Sequence, residues 1–146
     1  MRVSAIPARC TGRADCLIRA TVPASLDAIE QVFLEFRRHC KCLLQRPDCF
    51  MAELLLREAL TNAVVHGSQC NPEKSVRCAM RMKGRTLLIN VVDQGQGFGW
   101  RSLRGGEAEV SSCSGRGMEI FRKYATRVRF SNQGNAITLV KVFDES

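Results

Sequence analysis

Several things are missing from this 146-residue chain, and each absence removes a class of protein. No apolar run approaches the roughly 18 residues of a membrane-spanning helix. The start, Met1-Arg-Val-Ser-Ala-Ile-Pro, lacks the roughly 7–15-residue apolar stretch of a secretion signal. A cytoplasmic protein with no membrane partner is therefore expected. There is no G-x-x-x-x-G-K-[ST] run, which excludes a Walker-type phosphate loop. There is only one Trp and one Tyr, and the sequence shows no basic stripe interleaved with aromatic residues. The eight cysteines (10, 16, 40, 42, 49, 70, 78 and 113) include no Cys-x-x-Cys pair, and only two histidines could assist them. Zinc sites need ligands paired at short spacing. Scattered thiols in such a chain read as small core hydrophobes. Acidic residues are also in deficit, 14 against 22 basic, for a formal charge of +8. That excess points to an acidic partner: a nucleotide, a nucleic acid or an acidic protein surface. Without clustering or aromatics it argues only weakly for nucleic acid, and no direct nucleic-acid contact is expected.

What is present belongs to an ordinary globular domain: 45% hydrophobic and 25% charged residues, without internal repeats. Residues 1–15 have no periodicity and read as a flexible arm, leaving 16–146 as a single domain. Residues 16–22 alternate as a strand. Ser25 introduces a helix whose stripe is Leu26, Ile29, Val32, Phe33, Phe36, Cys40, Leu43 and Leu44. A second helix is expected from about residue 48 to 65, with Gly67 as its C-cap. The period then changes from 3.6 to 2. Val76, Cys78, Met80 and Met82 alternate with outward Arg77 and Arg81, Lys83-Gly84-Arg85 turns the chain, and residues 86–92 return to Asp93. Residues 94–114 form a glycine- and serine-rich loop, residues 115–124 a short helix, and residues 126–143 a last hairpin. Helices in blocks between antiparallel pairs imply an α/β two-layer sandwich, with helices over one face of the sheet.

Three constellations could carry chemistry. Glu58, Asn62 and His66 follow at i, i+4 and i+8 along one edge of the second helix, beside an apolar edge of Met51, Leu55, Ala59 and Ala63. Such an edge is often only a solvated face. A carboxylate and an amide one turn apart can also hold hydrated Mg²⁺, which takes few protein oxygens, and position a nucleophile. Asp93 then ends a buried strand and is followed by Gly95 and Gly97. A tight turn explains the glycines but leaves a carboxylate beside Val91-Val92, where it could meet a flat base edge-on. Finally, Gly115-Arg116-Gly117 opens a helix, whose N–H groups favour phosphate.

The run Glu58-Ala-Leu-Thr-Asn62-Ala-Val-Val-His66-Gly67, then Asp93-x-Gly95-x-Gly97, then Gly115-x-Gly117 resembles the asparagine box and two glycine boxes of the Bergerat-fold (GHKL) ATPases. The resemblance covers roughly residues 16–143. It implies a mixed, mostly antiparallel sheet covered on one face by helices. Gyrase-type relatives carry large appended domains, and histidine kinases carry a phosphoacceptor hairpin. A domain of this size is most similar to the bacterial anti-sigma factor serine kinases, which sequester a sigma factor and phosphorylate a serine on an anti-anti-sigma protein.

By position, that resemblance makes Glu58 the general base and Asn62 the Mg²⁺ ligand, with His66 completing the nucleotide-binding edge. Asp93 accepts the adenine amino group in a pocket shaped by Gly95 and Gly97. Gly115, Arg116 and Gly117 wrap the ATP phosphates, and Arg101 or Arg104 neutralises the γ-phosphate. Asn135 follows Gly134 where relatives carry Thr, so its amide stands in for a hydroxyl near adenine. The loop before Gly115 is short, with Gly99 and Trp100 where relatives often have Pro. A homodimer is a further implication. A nucleotide-dependent protein-binding switch without kinase turnover is the alternative reading.

Overall fold

The computed structural model describes residues 2–4, 15–40, 44–94, 115–131 and 135–143. Its six strands form one sheet. They are β1 (Arg2–Ser4), β2 (Asp15–Pro23), β3 (Ser75–Lys83), β4 (Thr86–Asp93), β5 (Arg127–Phe130) and β6 (Ala136–Val142). The order is β1-β2-β3-β4-β6-β5, and each neighbouring pair runs antiparallel. β1 comes from the stretch expected to be an arm. Arg2, Val3 and Ser4 extend the sheet because the free edge of β2 offers unpaired backbone groups.

Helices α1 (Leu26–Cys40), α2 (Arg46–Asn62) and α3 (Gly115–Tyr124), with a π turn at Ala63–Gly67 directly after α2, complete the described elements. The α1 start is set by Ser25, whose hydroxyl accepts the Ala28 N–H at 3.0 Å. Arg37, Arg38 and His39 in its last turn suit the negative end of the helix dipole. Pro47 in the first turn of α2 gives up an N–H that would have had no helical partner. Arg37 grips both carboxylate oxygens of Glu53, at 2.6 and 2.9 Å, which ties α1 to α2. Arg57 adds a 2.8 Å bond to Glu30 and lies 4.0 Å from the centre of the Phe33 ring. Hydrogen bonding from Arg57 holds the Glu30 carboxyl below the ordinary range.

The core lies between the helices and the inner sheet face. Ile18, Val22, Val76, Met80, Leu87, Ile89, Val91 and Leu139 meet Ile29, Val32, Phe33, Phe36, Leu55, Leu56, Leu60 and Phe121. Cys40 and Cys78 are buried among them. Of the stripe expected on α1, Ile29, Val32, Phe33, Phe36 and Cys40 are buried and Leu26 is half-exposed at the first turn. α1 ends at Cys40, Leu44 is buried beyond it, and Leu43 lies outside the described residues. β3 alternates as its sequence does, with Arg77 and Arg81 exposed. Gly84 turns the β3–β4 hairpin at φ 59°, where a side chain would be strained. Among the described residues no helix is long and apolar enough to cross a membrane.

Phe36 is 1% exposed and sits at the centre of this layer, whereas Phe50 is 70% exposed. Phe36→Ala should lower stability by about 3–5 kcal/mol, and Phe50→Ala by no more than about 0.5 kcal/mol. Urea denaturation followed by circular dichroism checks both values.

Candidate functional site

The end of α2 departs from a regular helix. Residues Ala63–Gly67 form a π turn, in which the Ser68 N–H bonds back to the Ala63 carbonyl at 2.8 Å. Such a turn is rare and is frequently found at functional sites. Gly67 lies within it and is therefore not the expected C-cap. Left-handed residues come only later, at Gln69 (φ 53°) and Cys70 (φ 56°). Gly67 instead lies against Asp93, and a Cβ at that position would overlap the Asp93 carboxylate. Glycine is required there for close approach.

Asp93 ends β4, only 7% exposed. Its backbone N–H bonds the Asn135 carbonyl at 2.9 Å, which joins the end of β4 to the start of β6. Both residues line one cleft with Asn62, and its walls include Ala59, Ala63, Val91, Met118, Phe121, Phe130 and Ile137. α2 thus supplies one wall, α3 the opposite wall, and the sheet the floor. A flat apolar slot with a few convergent polar groups is the usual form of a small-molecule site. The Asn135 Oδ1 accepts the Ser131 hydroxyl at 2.9 Å, so its NH₂ is the half of the amide left to donate to a ligand. A carboxylate can accept and an amide NH₂ can donate, a pair complementary to the amino group and adjacent ring nitrogen of adenine. The residues present therefore fit an adenine nucleotide.

Glu58 and His66 do not line the cleft. Glu58 is half-buried one turn before Asn62, and burial pushes its carboxyl above the ordinary glutamate range, opposed in part by Arg57. Burial also lowers the His66 imidazole, which favours its neutral form at pH 7. Gly115, Arg116 and Gly117 form the first turn of α3. Met118, the next residue, lines the cleft, so the N-terminal turn of α3 adjoins it. Gly95, Gly97, Arg101 and Arg104 lie outside the described residues. The apolar walls at Met118, Phe121 and Phe130 were not singled out in the sequence, and Gly67 was read there as a cap.

The histidine kinase-like ATPase domain family model matches residues 22–141, from the end of β2 into β6. The match covers most of the chain, and the chain belongs to that family of Bergerat-type ATPases. ATP binding is accordingly the function of the domain. No curated protein matches the chain significantly.

Gly67→Ala should destabilise the protein by about 1–3 kcal/mol through overlap with the Asp93 carboxylate. The loss should largely vanish when Asp93→Ala is combined with it, as a denaturation double-mutant cycle will show. A second expectation concerns pH. Because the folded-state pKa of Glu58 is raised, the folded state retains its proton longer than the unfolded state. Its contribution to stability falls as pH rises from the ordinary glutamate range through the raised value. Glu58→Gln removes that loss, so its stability relative to wild type should increase between pH 4 and 7, measured by denaturant midpoints.

Proposed function

We propose that this protein is an ATP-dependent serine kinase and anti-sigma factor, which sequesters a sigma factor and phosphorylates a serine on an anti-anti-sigma protein. The observation that supports it best is Glu58. Its half-buried carboxylate precedes Asn62 by one turn and stands outside the cleft that would take the base. A domain that only bound nucleotide would have no use for a carboxylate held there.

In this reading Asp93 and Asn135 read the adenine edge, while Ala59, Ala63, Met118 and Phe121 exclude water from its faces. Asn62, with an uncharged oxygen at the cleft, would hold Mg²⁺, an ion that takes one or two protein oxygens and leaves its other positions to phosphate and water. When bound, Mg²⁺ neutralises charge on the phosphates. Backbone N–H groups at Gly115, Arg116 and Gly117 face phosphate at the positive end of α3. Glu58 takes the proton of the incoming serine hydroxyl as its oxygen bonds to phosphorus, and ADP leaves with the electrons of the broken P–O bond. Phosphoryl transfer asks little more of a protein than this positioning, charge neutralisation and base.

Asp93→Asn should weaken ADP and ATP alike by about 1.5–3 kcal/mol, since it loses a charge-assisted hydrogen bond in a closed site. Glu58→Gln should leave ADP affinity near wild type and slow phosphate incorporation into the acceptor by about 10²–10⁴. Calorimetry and radiolabel transfer measure the two effects. Turnover unaffected by Glu58→Gln would remove Glu58 as the general base, whereas no phosphate incorporation by the wild type would remove the kinase assignment and leave a nucleotide-dependent switch.

A further inference from the structure

Among the residues whose side chains are described, the outer face of the sheet carries charge of one sign only. Its outward positions from Arg19 of β2 through β6 include Arg19, Arg77, Arg81, Lys83, Arg127 and Arg129, and no described Asp or Glu. Strand register arranges them in rows. Arg81 pairs with Leu88, Leu88 with Val140, and Val140 with Arg127. The neighbouring row runs Arg19, Ala79, Asn90, Thr138, Arg129. Arginine therefore flanks β4 and β6 in both rows, Arg81 or Arg19 on one side and Arg127 or Arg129 on the other. The floor between is apolar at Leu88, Val140 and Val142, with Leu88 38% and Val142 45% exposed. Its polar residues satisfy one another, since Asn90 donates to the Thr138 hydroxyl at 3.0 Å. Ala79, the small residue of the second row, opens a shallow depression with Arg81, Leu88 and Asn90.

We propose that this face docks an acidic amphipathic helix of a partner protein, laid along β4 and β6 between the two arginine rails. Arg81 and Arg127 are three strand spacings apart, about 14 Å, and a helix with its side chains is about 10–12 Å across. The apolar stripe of the helix would cover Leu88, Val140 and Val142, and carboxylates on its flanks would meet the arginines. An apolar centre inside a charged rim is the anatomy of a protein interface. A second copy of this chain would set arginine against arginine, which is repulsive. Single-stranded nucleic acid would find no outward aromatic on these strands to stack on. The intramolecular ion pairs of α1 and α2 involve none of these arginines, whose charge is free among the described residues for a partner.

The test is an NMR titration of the full chain with a synthetic helical peptide of about 18 residues, five turns, bearing a leucine stripe flanked by glutamates. Amide shifts should concentrate on β4 and β6. Arg81→Glu combined with Arg127→Glu should weaken binding by about tenfold or more. The same peptide with lysine for glutamate should bind that double variant better than wild type. ADP affinity of the variant, whose substitutions lie outside the cleft, verifies that it is folded. Equal binding of both peptides by wild type, shifts confined to α1 and α2, or binding of short duplex DNA in place of the peptide would each overturn the proposal.

Discussion

The contact between Gly67 and the Asp93 carboxylate is the constraint around which the site is built. A buried carboxylate at a strand end must be met closely, and only a residue without a side chain allows the α2 backbone to come that near. The π turn delivers Gly67 to that place while keeping Ala59, Asn62 and Ala63 on the cleft wall. On the other side, the Asp93 N–H is held by the Asn135 carbonyl, which draws the start of β6 into the same floor. Helix, central strand and late hairpin are thus locked at one point, and the nucleotide slot opens beside it.

The two faces of the sheet divide the work. The inner face, dominated by Val, Ile, Leu and Met, buries the core and carries α1 and α2. Nearly all the ion pairing resolved between elements is spent between those two helices, where Arg37 and Arg57 engage Glu53 and Glu30. Such exposed pairs orient the helices more than they stabilise them. The outer face keeps its arginines unpaired among the described residues, a distribution that adds nothing to folding and favours encounter with an acidic surface.

Local chemistry made much of this legible. The change of period from 3.6 to 2 at residue 75, Ser25 as a cap and Gly84 as a turn are short-range features, and each appears where its residues require it. Asn62 and Asp93 stood out as polar residues beside apolar positions and Asn135 through the family resemblance, and the fold brings all three to one cleft. β1 was not legible. Arg2-Val3-Ser4 has no pattern of its own and becomes a strand because β2 presents an edge.

The sequence by itself determined α1 to α3, β2 to β6, most of their inward and outward residues, and the family motifs along α2, β4 and α3, because periodicity and capping depend on neighbours in the chain. Tertiary structure alone decided the rest. Gly67 became a point of close approach because Asp93, distant in sequence, packs onto it. The cleft's aromatic wall formed because α3 and the β5–β6 hairpin close over α2. The arginines became rails because strand register aligns β2, β3 and β5 across the intervening strands. A side chain's orientation is a local property, but its companions across a sheet are set by the pairing of distant segments.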